Sequence, residues 1–338
     1  MGNELKYIQI IGTQRSGSNL LRLMLNQLPE IVAPHPPHIL QNFLPIVDNY
    51  GDLKKDDNYK QLIEDVCRFV ELNPVPWTGF DLIRADIFSG SKKRSIYEIF
   101  RLIYEAYTLS KNGSIMCCKS MANINYVAEL ESNKLDPFYI YLFRDGRDVA
   151  LSFKKAIVGE KHIYHLAKKW KCDQENSLNF LRNIEDSRKH LLSYEELIRS
   201  PDKYLKQICD KLNINFNQNM LSYYDSVESR ITASSGEMWA NVQKPIIKSN
   251  TKKYRKGLSI DEIRIFESVA KDTLRKLGYL PDYIINGHNP EIKQEQITMY
   301  SRKNEQLKLE ARKEANKTDI KKRELQKTYL YEVLSRIS

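Results

Sequence analysis

The chain is short of several things, and each shortage removes a class of protein. Of its 338 residues only five are cysteine, Cys67, Cys117, Cys118, Cys172 and Cys209. The number is odd, two are adjacent, and no CxxC spacing occurs, which argues against a disulfide framework and against a cysteine zinc site. Reduced thiols suit a cytoplasm. No apolar run approaches the ~20 residues that a membrane span needs. No basic-then-apolar segment stands before the first strand, because Lys6 leads straight into it, so a cytoplasmic protein is the expectation. Repeats and low-complexity tracts are also missing. Acidic residues are outnumbered, 43 against 53 Lys and Arg, leaving a net charge of +10. That excess favours an anionic partner, and it fits a phosphorylated nucleotide, an anionic glycan or nucleic acid alike.

What is present is organised around Tyr7 to Leu28. Tyr7 to Ile11 is short, apolar and β-branched, as a buried parallel strand would be. A turn of small residues follows, Gly12-Thr13-Gln14-Arg15-Ser16-Gly17-Ser18-Asn19, and then Leu20, Leu21, Leu23, Met24, Leu25 and Leu28 mark an apolar helix face. Strand, small-residue turn and helix place free N–H groups around a phosphate. Gly12-x4-Gly17 begins like a Walker loop, but Ser18-Asn19 stands where Lys-Ser/Thr would reach the terminal phosphates and Mg²⁺. The cation is Arg15, inside the turn. An anion held without a metal is the expectation.

A second strand candidate, Phe138 to Phe143, runs into Arg144-Asp145-Gly146-Arg147-Asp148-Val149-Ala150-Leu151-Ser152. With both stretches in hand the sequence resembles the sulfotransferases that use 3′-phosphoadenosine 5′-phosphosulfate (PAPS), over about residues 5 to 282. TQRSGSNLL is similar to their 5′-phosphosulfate loop, and LFRDGRDVALSFKKA is similar to their 3′-phosphate motif. The likeness is greater to the bacterial, heparan- and tyrosylprotein-type enzymes than to the cytosolic steroid and phenol type.

The resemblance implies an α/β fold: a parallel sheet flanked by helices, of the P-loop NTPase-like sulfotransferase type. It implies transfer of the sulfuryl group of PAPS to a hydroxyl or amine on a glycan, lipid or other metabolite, releasing PAP. Thr13, Gln14, Arg15, Ser16, Gly17, Ser18 and Asn19 would hold the 5′ side, and Arg144 and Ser152 the 3′-phosphate. Lys119, at the end of the strand Ser114 to Cys118, would point at the transferred group. Lys253 and Tyr254, in a basic loop before a capped helix (Ser259, Glu262), would contact the 3′-phosphate side. No metal, nucleic-acid partner or membrane span is expected.

The segment Ala33-Pro34-His35-Pro36-Pro37-His38 is stiffened by three prolines. In relatives it carries the base, a Glu followed two positions later by His. Aligned from the loop, His38 falls on that His and Pro36 on the Glu, so His35 or His38 must take the role or the base lies elsewhere. An unperturbed imidazole would give an acid limb near pH 6.5. Met121 occupies the position where cytosolic members carry a base His, which excludes that mechanism.

Residues 41 to 112 read as helical with breaks at 48–51 and 73–79. Residues 201 to 212 read as a helix and 218 to 247 as irregular. Pro281 to Pro290 reads as a boundary, giving a sulfotransferase domain over 1–285 and a charged helical extension over 286–338. Two competing readings stay open. A P-loop kinase would carry Lys-Ser/Thr after Gly17. A non-catalytic nucleotide-binding module gains from the basic tail and the missing Glu.

Overall fold

The computed structural model describes residues 5–284 and 292–337. Five strands form one parallel sheet in the order β2-β3-β1-β4-β5. They are β1 (Lys6–Ile11), β2 (Ile31–Val32), β3 (Ile115–Cys118), β4 (Phe138–Phe143) and β5 (Lys189–Ser193). Their apolar runs are buried because helices cover the sheet on both sides. Ile8, Ile10, Ile140, Leu142 and Leu192 pack with the first helix, Ser18–Leu25, and with Leu205 and Ile208. Tyr139 and Tyr141 face the other way, toward Leu181 and Ile184. This is the α/β architecture that the two motifs imply.

The strand order puts β3 on one side of β1 and β4 on the other. Ligands of open parallel sheets bind at such a reversal, beyond the carboxyl ends of the strands. The turn after β1, Lys119 after β3, Arg144 after β4 and Tyr194 after β5 all leave the sheet at that edge.

Gly12 makes this crowding possible. Its φ is +124°, and a Cβ there would lie 2.3 Å from the carbonyl oxygen of Leu142 in β4, a backbone atom that cannot swing aside. Gly12→Ala combines positive-φ strain with overpacking and is expected to cost roughly 2–5 kcal/mol, read as a lower urea midpoint with an unchanged m-value.

Residues 218–247 are more ordered than an irregular reading allows. They form 3₁₀ turns at Gln218–Asp225 and Glu237–Gln243 around a helix, Val227–Ser234, capped by the Ser226 hydroxyl on the Ser229 N–H. The elements are too short for their periodicity to show, and an ion pair between buried Arg22 and half-buried Glu228 (2.7 Å) fixes them to the first helix. The stretch 39–110 holds helices Ile39–Phe43, Asp56–Glu71, Arg84–Gly90 and Ile96–Ser110. The interruption at 91–95, missed in the sequence, ends at Ser95, whose hydroxyl caps Glu98.

The boundary expected between residues 285 and 286 lies outside the described residues. Beyond it come two helices, Gln294–Glu314 and Lys317–Ile337. The second returns to the body of the molecule. Arg336 and the Tyr329 hydroxyl both meet the buried carboxylate of Asp65, at 2.5 Å and 2.9 Å, and Val333 is fully buried among the helices of residues 39–130.

Candidate active site

The site is built from the ends of the strands upward. The turn after β1 closes on the first helix through Gly17, whose left-handed backbone (φ +90°) is also forced by contact: a Cβ would sit 2.4 Å from the Tyr194 ring. Gly17 offers no side chain to cap the helix, so the first N–H groups remain available to an anion. Arg15 is itself left-handed (φ +72°), unusual for a side chain of this size. Its Nε–H donates to Ser152 Oγ at 3.0 Å and its NH2 group to the Met238 carbonyl at 3.3 Å. One residue of the first loop therefore touches the second motif directly.

Arg144 closes the other side. Its guanidinium donates to the carbonyls of Arg15 (3.2 Å) and Asn250 (2.8 Å), lies 4.4 Å over the Tyr194 ring, and keeps a buried Nε–H with no hydrogen-bond partner among the described residues. Ser16 Oγ is likewise buried and unpartnered. A buried polar atom left unsatisfied costs roughly 1–3 kcal/mol, so two of them beside a helix N-terminus describe a cradle shaped for an anion. Thr13 accepts from Gln174 (2.6 Å) and Asn19 from Arg22 (3.3 Å), so both brace the turn. Gln14 lies within it, and Ser18 opens the first helix.

Lys119 is buried, and its amine has no hydrogen bond among the described residues. Burial, then the charges of Arg22 and Arg15, lower it to about 7. Burial, with Arg144 and Arg323, lowers even Arg15 to about 10. These cations repel one another until an anion lies between them.

The two histidines are close, with ring centroids 6.4 Å apart. His38 takes a left-handed backbone (φ +62°) where the proline segment enters the helix Ile39–Phe43, and its Nδ1 lies 2.8 Å from Ser120 Oγ. His35 is buried with neither ring nitrogen hydrogen-bonded among the described residues, against the Trp239 ring at 4.8 Å. Burial first, then Lys119, push His38 down to about 3 and His35 well below its ordinary value. Both shifts move the rings below the unperturbed imidazole value of about 6.5 and toward the neutral form, which is the state a base requires.

The basic loop is placed differently. Lys253 is exposed. Tyr254 is buried, with its hydroxyl on Asp282 (2.8 Å), its N–H on Asp148 (2.9 Å) and its ring under Arg147 at 4.2 Å. The structure does not bring the Tyr254 side chain to the cradle; the Asn250 carbonyl is what reaches Arg144. Sequence reasoning missed Arg22, Trp239 and Arg323. Only Arg22 left a signal, as a cation in an otherwise apolar helix face.

A parallel sheet ending in an anion cradle beside a lysine and a histidine pair is an arrangement suited to group transfer from an anionic donor. The family model described as "Sulfotransferase family" matches residues 8–218, and the chain belongs to the sulfotransferase family; it is a transferase of sulfuryl groups. Protein-tyrosine sulfotransferase A of Caenorhabditis elegans is 22% identical over 285 residues, covering 82% of this chain and 68% of that protein. In fold the chain is similar to the sulfotransferase domain from the curacin biosynthetic pathway (TM-score 0.54, 23% identity, 82% of this chain and 99% of that one). It is also similar to the sulfotransferase domain of the Synechococcus PCC 7002 olefin synthase (TM-score 0.52, 21% identity, 80% and 97%). Among the described residues no helix is long and apolar enough to cross a membrane.

Proposed function

We propose that the donor is PAPS, and that the acceptor is a hydroxyl or amine on a glycan, lipid or other metabolite. The relative's name adds a peptidyl tyrosine to that range. The observation that carries the reading is the contact between the two motifs, Arg15 Nε–H to Ser152 Oγ, with Arg144 Nε and Ser16 Oγ buried and unpartnered around it. A nucleotide phosphorylated at both ends would satisfy these groups together. The Arg15 turn takes the 5′ side and Arg144 with Ser152 the 3′-phosphate. Exposed Lys253 stays a candidate on that side.

When bound, PAPS supplies a sulfuryl group whose departure leaves negative charge on the 5′-phosphate. Arg15, the loop N–H groups and Lys119 stabilise that charge where it grows. His38 removes the acceptor proton at Nε2, which has no hydrogen bond among the described residues. This requires the tautomer in which Nδ1–H donates to Ser120 Oγ. An oxygen–sulfur bond to a hydroxyl acceptor, or a nitrogen–sulfur bond to an amine, would form as the sulfur–oxygen bond to the nucleotide breaks, and the acceptor proton would end on the imidazole. The domain division at 285/286 and a cytoplasmic location belong to the same proposal; the latter is supported by five free thiols.

The direct test is purified protein with PAPS and a promiscuous phenol in EDTA. PAP and the sulfated phenol should appear in equal amounts. Magnesium-dependent ATP turnover without PAPS consumption would contradict the reading.

Arg144→Ala should weaken PAP binding by roughly 2–4 kcal/mol, the scale of a buried charge-assisted contact, with kcat at saturating PAPS little changed. Lys119 gives a pH signature. Its folded value, about 7 against an ordinary 10.5, lies below the unfolded one, so between these values the unfolded chain holds a proton that the empty protein lacks. This group's contribution to stability therefore rises with pH in that window. PAP should restore the proton. At pH 8 calorimetry in buffers of different ionisation enthalpy should show uptake close to one proton, lost in Lys119→Met.

A further inference from the structure

Arg323 lies far beyond residues 8–218, where the family match is found, yet its helix delivers it to the active site. The guanidinium stands 4.8 Å over the Trp239 ring, and its NH2 is 3.4 Å from Met238 Sδ. Those two neighbours lead directly into the chemistry: the Met238 carbonyl accepts from Arg15, and Trp239 packs against His35 beside His38. The Arg323 charge is felt at Lys119, His35, His38 and Arg15 alike.

Among the described residues no carboxylate forms an ion pair with Arg323, and the charge of Asp319 offsets only part of the burial that lowers its pKa. Its Nε–H is buried without a hydrogen-bond partner among the described residues. Asp319, one turn back on the same helix, accepts instead from the Glu237 N–H at 2.9 Å. Glu237 accepts from Asn316, and Glu228 is committed to Arg22. Nor is the side chain free to leave. Lys322 donates to the Ser234 carbonyl (2.6 Å), Gln326 to the Phe69 carbonyl (2.9 Å), and Arg336 holds Asp65. A fixed, desolvated guanidinium on an aromatic face, with donors to spare, is a receptor for a planar or tetrahedral oxyanion. Arg15, Arg144 and Lys119 already answer the nucleotide, and Arg323 lies past them, on the side of the histidines.

We propose that Arg323 receives an anionic group of the acceptor, a carboxylate or a sulfo or phospho group, and so selects acceptors that carry such a group near the reacting hydroxyl. The inference rests on the sulfotransferase reading, since it takes the side beyond His38 as the acceptor's. Arg323 is a specificity-determining residue supplied by the C-terminal helix.

The test is calorimetry on the full chain, saturated with PAP and also without it, against three matched phenols: 4-hydroxybenzoate, 4-hydroxybenzenesulfonate and 4-hydroxybenzamide. The wild type should bind at least one of the anions roughly tenfold or more tighter than the amide, as a charge-assisted contact predicts. The two anions tell carboxylate from sulfo recognition. Arg323→Gln should erase the preference, Arg323→Lys should retain part of it, and PAP affinity should stay within about twofold in both. Equal or undetectable binding of all three phenols to the wild type would overturn the proposal. So would a preference that survives in Arg323→Gln, or a tenfold loss of PAP affinity in that variant, which would move Arg323 to the nucleotide. Failure of the wild type to bind PAP would instead strike at the function reading, while the titrations without PAP would still decide Arg323.

Discussion

Arg15→Ala is expected to lower kcat for sulfuryl transfer by roughly 10²–10³, the loss seen when one donor is taken from a developing oxyanion. Arg15 is held by its left-handed backbone and by donation to Ser152 and the Met238 carbonyl, so it is positioned before the substrate arrives. Its target is less negative in the ground state than in the transition state. The variant should therefore lose turnover as well as affinity. Arg144, whose target is a phosphate remote from the reacting sulfur, should lose affinity alone. Steady-state kinetics with PAPS varied, alongside PAP titrations, separates the two. Arg15→Ala with normal kcat and weakened PAP binding would reduce that residue to a second phosphate clamp.

His38→Ala is expected to remove roughly 10²–10⁴ in rate with PAP binding intact, the usual worth of a positioned general base. The choice of His38 over His35 follows from the contacts. His38 has Ser120 to fix its tautomer, whereas His35 has no partner on either nitrogen. Both rings are desolvated beside Lys119, so the His38 titration lies at about 3 in the empty protein. A bound polyanion opposes Lys119, but burial, the largest cause of the shift, persists in the complex. Single-turnover sulfation should accordingly show no acid limb between about pH 6 and 9. Ser120→Ala should lower the rate less than His38→Ala, because it frees the tautomer without removing the base. Equal rates for wild type, His35→Ala and His38→Ala would place the base elsewhere.

The half of the site proposed for the nucleotide was legible because strand, turn and helix are contiguous there. The bounds of β4 are those its apolar run marks, Phe138 to Phe143, and Arg15 and Arg144 stand at the strand ends where a parallel sheet presents side chains. The half proposed for the acceptor was not legible, because it is assembled from distant pieces. Trp239 sits in a 3₁₀ turn with no periodicity of its own, and Arg323 is one cation among many in a charged helix. The position of Tyr254 was misleading for a related reason. A basic-aromatic loop looks the same whether its ring faces a ligand or, as here, packs beneath Arg147 with its hydroxyl on Asp282.

The central claim is that the two loops form one cradle for a nucleotide phosphorylated at both its 5′ and 3′ ends, without a Walker lysine and without a metal. Calorimetry with PAP and ADP in EDTA tests it most directly, since the two differ in where the second phosphate is attached. PAP should bind at least roughly 100-fold tighter than ADP, the worth of the Arg144 and Ser152 contacts, and Arg144→Ala should bring the two together. ADP binding as tightly as PAP, or tight nucleotide binding only when Mg²⁺ is added, would contradict the account.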